Sequence, residues 1–317
     1  MSYSQSQPLA ESFIKNAWEN QKLSAAYIFF GPDGTGRLHM ARSLAKAVNC
    51  QKGTFPPCMV CASCKKIENN NYPDVHYLEK QDSSFIKIEQ IQQMQKEISL
   101  SPFEAKRKVF IILDAEDFTP EAANCLLKVL EEPPGDSLII LLASALNRLF
   151  PTIISRCQKI RFSCLPPHQA ELILSRDYHL DKDSSHFLAF CFEGKLGEAL
   201  KFKDSNILSQ KNRIIRQFVL QPDSPANEVS LGDKEQLNLI LMILIGCMRD
   251  IYLLKSGIDG DNLINRDIKK QLSALTAAFS FTDLDRVLRE LCESLEYARK
   301  NINPKLLIDN LQLLWKK

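Results

Sequence analysis

KVFIILDAEDFTPEAANCLLKVLEEPP, residues Lys108 to Pro134, opens on an unbroken apolar run from Val109 to Leu113 and then meets Asp114. A run of that length ending in a carboxylate reads as a parallel strand buried on both faces, with its acid at the C-terminal edge. In an ATP-hydrolysing site of this kind the Asp helps to hold magnesium and the next residue is a Glu that polarises the attacking water. Here the next residue is Ala115. Glu116 comes one position late, and alternation along an extended strand points it to the opposite face unless the register slips locally.

The partner of this strand lies earlier, at Tyr27 to Leu38, where YIFF is followed by GPDGTGRL and then by Ala41, Leu44, Ala45 and Val48 at helical spacing. Strand, glycine loop and helix follow one another there. Gly31, Gly34 and Gly36 fit a P-loop, whose backbone N–H groups surround phosphates at a helix N-terminus. A working P-loop continues with Lys for the phosphates and Ser or Thr for magnesium, whereas this chain has Arg37 and Leu38. Arginine keeps the charge but carries it on a planar fork, and leucine has no oxygen for a metal. Two separate defects imply an ATPase fold that has lost hydrolysis. Whether ATP or ADP still binds at Gly31, Gly34, Gly36, Arg37 and Asp114 stays open.

Composition sets wider limits. The chain has 317 residues, 45% of them hydrophobic and 25% charged, as in ordinary globular proteins of two or three domains. A formal net charge of +2 makes no strong electrostatic case for binding DNA unaided. The N-terminal MSYSQSQPLAESF is polar, so no signal peptide is expected. Leu237 to Met248, the longest apolar stretch, is short of the roughly 20 residues of a membrane span. A cytoplasmic protein without membrane partners is expected. In that compartment the ten cysteines are read as thiols or metal ligands rather than disulfides.

In chain order, a polar tail leads into an amphipathic helix carrying Phe13, Ile14, Ala17 and Trp18. After the P-loop helix come Cys50, Cys58, Cys61 and Cys64, the last three as CMVCASC. Overlapping CxxC spacings with a fourth Cys nearby predict a closed, structural four-thiolate zinc site. Unligated loop thiols are the alternative, but this spacing seldom arises by chance. A strand at Val75 to Leu78 and a helix from about Ile88 to Leu100 follow, the helix carrying Ile88, Ile91, Met94 and Ile98 on one face. A further strand runs from Ser137 to Ala143, then a connection reaches Pro151 and the tripeptide Ser155, Arg156, Cys157. This alternation predicts a parallel doubly wound sheet with its site at the strand C-termini. Behind Pro166 and Pro167, residues 165–205 read as a small helical domain, and a polar linker, QPDSPANEVSLGDKEQ, separates it from further helices. Stripes are read through Ile240, Leu244 and Met248, then Leu272, Leu275 and Phe279, then Leu288, Leu291, Leu295 and Leu306. His39, His76, His168, His179 and His186 have no ligand spacing and are assigned no chemistry.

The chain resembles the bacterial clamp-loader subunits of the AAA+ class. The resemblance rests on the P-loop region, the CxxCxxC knuckle, IKIEQIQQMQKEISLSPFEAKRKVFII, NCLLKVLEEPP and the SRC tripeptide. It implies an AAA+ domain over residues 1–164 with a zinc knuckle at 50–64, a small helical lid over 165–206 and a helical collar over 207–317. The terminal NINPKLLIDNLQL is similar to the last collar helix. By the same resemblance Arg156 is an arginine finger reaching the ATP site of an adjacent gamma or tau subunit; an arginine capping a helix end is the alternative. Ser144 matches a nucleotide-sensor position, and Gly197, within GKLGEAL, stands where active subunits have a sensor Arg. The implied role is a non-hydrolysing stator in a hetero-pentamer with gamma or tau and delta subunits, which opens a sliding clamp and loads it on primed DNA. An active gamma or tau type ATPase is the alternative, disfavoured by Arg37, Leu38, Ala115 and Gly197 and by the absence of a long tail after the collar.

Overall fold

The computed structural model describes residues 7–81, 84–220, 234–258, 260 and 262–299, in two compact units that divide between Cys164 and Leu165.

The first unit is built on a five-stranded parallel sheet. Strand β1 (Ala26–Phe30) leads into helix α2 (Arg37–Asn49), with α1 (Pro8–Glu19) before it and α3 (Ala62–Glu68) after it. Then come β2 (Val75–Leu78), α4 (Ile88–Ser99), β3 (Lys108–Ile112), α5 (Pro120–Glu131), β4 (Ser137–Ala143), α6 (Pro151–Ile154) and β5 (Gln158–Arg161). The strands lie in the order β2-β3-β4-β1-β5. The P-loop strand β1 and the acid-bearing β3 are therefore not hydrogen-bonded neighbours, because β4 lies between them. Every residue of β3 and β4 is buried, as continuous apolar runs require.

Alternation along these strands supplies two cores. Ile28, Phe110, Ile112, Ile139 and Leu141 face Ile91, Met94 and Ile98 of α4 and Leu126 and Val129 of α5. Tyr27, Phe29, Val109, Ile111, Leu138, Ile140 and Leu142 face Ile14 of α1 and Met40, Ala41, Leu44 and Ala45 of α2. Helix α5 starts where the Thr119 hydroxyl accepts the Ala122 N–H, with Pro120 at the first helical position. Pro133 and Pro134 follow its end. Two details differ from the sequence reading. Ala10 and Ile14 are the buried residues of α1, and Phe13 is exposed. The edge strand β5 was absent from the pattern because only Ile160 is buried in it, so it offers no apolar run.

The second unit is helical throughout its described residues. It contains α7 (Pro167–Tyr178), α8 (Lys182–Cys191), the short α9 (Leu196–Ala199), α10 (Ile207–Ile215), α11 (Lys234–Lys255), α12 (Lys269–Leu275) and α13 (Phe281–Arg299). The apolar segment Leu237 to Met248 is part of a longer helix than the sequence suggested. Its 21-residue span Glu235–Lys255 is long and apolar enough to cross a membrane, but 61% of its most apolar window is buried inside the protein. It is the core helix of this unit, with Ile240, Leu244 and Met248 fully enclosed. On α13 the buried stripe is Leu284, Val287, Leu291 and Ala298, so Leu288 and Leu295 lie at its margin. Leu306 and NINPKLLIDNLQL fall outside the described residues.

Three buried polar side chains of this unit, Asp250, Lys211 and His186, are held by specific partners. Asp250 accepts the N–H groups of Ile264 (3.1 Å) and Asn265 (2.7 Å) and the Asn265 amide (2.8 Å). Lys211, fully buried, pairs with Asp267 at 2.5 Å. His186, given no chemistry by the sequence, is a cross-brace between Glu171 (3.2 Å) and the Leu263 carbonyl (2.7 Å).

Candidate functional site

The P-loop glycines occupy conformations that glycine makes accessible. Gly31, Gly34 and Gly36 have φ of 149°, 75° and 93°, and Gly36 caps the N-terminus of α2. Gly31 is also pressed against β5, where an added Cβ would lie 2.0 Å from the Phe162 carbonyl oxygen. Gly31→Ala is therefore expected to destabilise the first unit by at least about 2 kcal/mol, read as a lower denaturation midpoint with or without nucleotide.

The loop is braced from within. The Gln7 side chain, buried, donates to the carbonyls of Thr35 (3.1 Å) and Ser163 (2.7 Å) and accepts the Ser163 N–H (3.2 Å). Nothing in the local sequence around Gln7 signals this role, since the partners lie 28 and 156 residues away. Thr35, the one hydroxyl in the loop, donates to the Pro32 carbonyl at 2.7 Å. Arg37 pairs with Asp33 four residues before it, so the charge that should face a phosphate is engaged inside the loop. Leu38 packs against the core with Tyr27 and Met40.

At the end of β3 the backbone turns sharply. Asp114 has φ 49° and ψ 51°, and Ala115–Asp117 form one 3₁₀ turn. Alternation therefore stops before Glu116. Its carboxylate accepts the Ser144 N–H at 3.0 and 3.2 Å, at the end of β4 beside the P-loop strand. This is the local register slip that the strand pattern could not contain. Asp114 lies 3.5 Å from Lys80, whose ammonium donates to Asp117 at 2.6 Å. The Asp117 hydrogen bond, together with the Asp114 charge, holds Lys80 above its ordinary pKa. Ala115 is fully buried and offers no polar atom.

Arg156 follows α6 in the turn that enters β5. Its Nε and Nη2 donate to Glu131, the last residue of α5, at 2.9 and 2.5 Å. Its Nη1 donates to the Thr152 carbonyl at 2.9 Å and to the Ser155 hydroxyl at 3.3 Å. Four of five guanidinium N–H groups are thus directed to the chain's own acceptors, including a helix-terminal carbonyl. Glu131 escaped the sequence reading. It was legible only as part of LEEPP, and its partner is 25 residues away. Gly197, the other position compared with a sensor, lies in α9.

The four cysteines of the knuckle converge. The sulfur atoms of Cys50, Cys58, Cys61 and Cys64 all lie within 4.8 Å of one another, with Cys50 and Cys64 buried. A tetrahedron with Zn–S bonds of about 2.3 Å needs S···S separations of about 3.8 Å, so the cluster requires only a small contraction. These residues could hold a metal ion. At Cys50 burial pushes the thiol up, but N–H groups of Cys58, Lys52 and Thr54 and the Cys58 thiol outweigh it and bring it down to about 6. Burial, with Cys61 adjacent, pushes Cys64 up to about 12. A metal binding here displaces the thiol protons, that of the buried Cys64 among them. Lys46, almost fully buried, pairs with Glu68 of α3, tying the knuckle to α2.

The chain is similar to known proteins over most of its length. Residues 6–166 match the family model of the DNA polymerase III delta subunit, and residues 205–317 match that of its C-terminal part. A DNA polymerase III subunit delta-prime of Bacillus subtilis is 30% identical over 97% of this chain and 95% of its own length. The tau subunits of Bacillus subtilis and Escherichia coli are 32% and 31% identical over 61% and 72% of this chain. The alignments span only 35% of each tau subunit. A solved DNA polymerase III gamma subunit-related protein from Thermotoga maritima superposes with a TM-score of 0.53 at 17% identity, covering 97% of this chain and 98% of that one, which shows a shared fold. The delta-prime match alone runs nearly end to end in both partners among these three subunits, and the chain belongs to the delta-prime family of bacterial DNA polymerase III clamp-loader subunits.

Proposed function

We propose that this protein is the non-hydrolysing stator of a clamp loader, supplying Arg156 as an arginine finger to the ATP site of an adjacent gamma or tau subunit. The observation that carries the first half is the state of its own nucleotide site. Arg37 is tied to Asp33, Leu38 is half-buried against the core, Ala115 stands where the water-polarising acid belongs and Asp114 lies beside Lys80. The second half is supported by the placement of Arg156 on an exposed turn with its charge intact.

The assembly in this reading is a hetero-pentamer with gamma or tau and delta subunits, acting in the cytoplasm on a sliding clamp and primed DNA. Residues 165–206 serve as lid and 207–317 as collar, a division supported by the interval between the two family matches at 166 and 205. Zinc is the metal of the Cys50, Cys58, Cys61 and Cys64 cluster. Its role is structural, since four thiolates leave no open position for chemistry.

One observation favours the active-ATPase alternative. Glu116 reaches the end of β4 after all, and a carboxylate there is a candidate for orienting water. The two readings part in a single assay. The purified chain is expected to show no ATP turnover above blank, and to support clamp-loading hydrolysis only once gamma or tau, delta, clamp and primed DNA are added. Turnover by the isolated chain within the ~1–10³ per second of ordinary enzymes, abolished in a Glu116→Gln variant, overturns the stator reading.

A further inference from the structure

An arginine that acts on a neighbouring subunit must be held in one geometry before that subunit's phosphate arrives. A flexible guanidinium in water loses rotamer entropy on docking, and any carboxylate that fixes it beforehand removes part of that cost. Glu131 is in that position. It closes α5 just before Pro133 and Pro134, so its backbone is anchored by a helix whose Leu126, Val129 and Leu130 are in the core. Its carboxylate oxygen accepts from Nε and Nη2 of Arg156, the side-on edge of the fork. On the end-on edge, Nη1 and Nη2, one N–H of Nη2 has no acceptor among the described residues, and Nη1 meets the Thr152 carbonyl at 2.9 Å and the Ser155 hydroxyl at 3.3 Å. That edge is the one suited to two oxygens of a phosphoryl group.

We propose that Glu131 is the positioning residue of this site: it holds Arg156 by its side-on edge and presents the end-on edge to the nucleotide of the adjacent subunit. The inference rests on the finger reading of Arg156 and adds to it a residue that does not touch the nucleotide. Because the pair is part-exposed, with side chains 33% and 51% accessible, its contribution is modest. Removing Glu131 is expected to lower kcat of the assembled loader by about 2- to 5-fold, the range that an exposed ion pair allows, with KM for ATP unchanged.

The experiment is a double-mutant cycle in the reconstituted loader with clamp and primed DNA over an ATP titration to saturation, kcat being taken as the first-turnover rate at the neighbouring subunit's site, using wild type, Glu131→Ala, Glu131→Gln, Arg156→Ala and the double variant. Thermal unfolding and assembly of each variant are measured alongside, since a purely structural Glu131 would act through those. The expected result is a kcat loss in Glu131→Ala, partial retention in Glu131→Gln, which keeps an acceptor oxygen, and no further loss when Glu131→Ala is added to Arg156→Ala. Wild-type kcat in Glu131→Ala beside a slow Arg156→Ala overturns the positioning role and leaves the finger standing. A raised kcat in Glu131→Ala also overturns it, because the carboxylate would then be competing with the phosphate. Wild-type kcat in Arg156→Ala overturns the finger reading, and the positioning role with it. An equal loss from Glu131→Ala in both backgrounds assigns Glu131 an effect that does not pass through Arg156, which overturns the proposal too.

Discussion

Arg156→Ala is expected to slow ATP hydrolysis at the neighbouring subunit's site on the order of 10³-fold while leaving this protein folded and the loader assembled. The size follows from what the guanidinium does in a phosphoryl-transfer transition state. Charge spreads over the equatorial oxygens as the bond loosens, and a preorganised cation in a water-poor site stabilises that charge far more than it would in solvent. The innocuous effect on folding follows from the local contacts. Arg156 pairs with Glu131 at a part-exposed position and donates to one helix-end carbonyl, interactions that together amount to about 1 kcal/mol. Rapid-quench measurement of the first turnover is the suitable check, because hydrolysis at any other ATP site of the loader dilutes a steady-state rate. Loss of one ATP's worth of burst amplitude, with unchanged melting temperature, is the expected pair of results. An undiminished burst in a fully assembled loader would leave Arg156 with the helix-capping role that its Thr152 contact already describes.

The second large effect concerns metal. Elemental analysis is expected to find one zinc per chain, and Cys61→Ser to find almost none. Cys61 is the informative position because it is only half-buried at the N-terminus of α3, so replacing its sulfur disturbs little packing. The apparent free energy of a structural zinc in an isolated finger is about 10–16 kcal/mol, but there the metal is the whole core. Here the sheet has its own two apolar cores, so the loss falls on residues 50–64 and on the α2–α3 contact. Faster amide exchange across that segment and a fall of a few degrees in melting temperature are expected, with loader ATPase within about twofold of wild type. Since the Cys64 proton must leave on binding, zinc affinity should weaken as pH falls. A purified protein free of zinc under reducing, chelator-free conditions would remove the metal from the account.

Much of this molecule is legible without coordinates, and the reasons are local. Lys108–Ile112 is a buried strand because every residue after Lys108 is apolar, and Ser137–Ala143 likewise after its first residue. The glycines of the P-loop mark positive φ, the cysteine spacing marks a cluster, and Arg37, Leu38 and Ala115 are read directly from the chain order. These are properties of single residues or of a few neighbours, and chain order alone carries them. Edge strand β5 and the exact stripes of α1 and α13 escaped, because one buried residue in four, or a helix face shifted by one position, leaves a pattern too weak to separate from its alternatives.

The sequence by itself determined the class of fold, the metal-capable knuckle and the departures from the P-loop pattern at Arg37, Leu38 and Ala115, since each depends on which residues are present and how closely they follow one another. Only the tertiary structure decided what the remaining charges do. It placed β4 between β1 and β3, turned Asp114 into a left-handed conformation, brought Glu116 to Ser144 and Lys80 to Asp114, and set Glu131 against Arg156. Those partners are separated by 25 to 34 residues and meet only because strand order and helix ends carry Glu116, Ser144, Lys80 and Asp114 to the C-terminal edge of the parallel sheet and Glu131 and Arg156 to the opposite edge, where β4 and β5 begin. A charge pair needs a few ångströms in space, and sequence distance does not encode that until the core has closed.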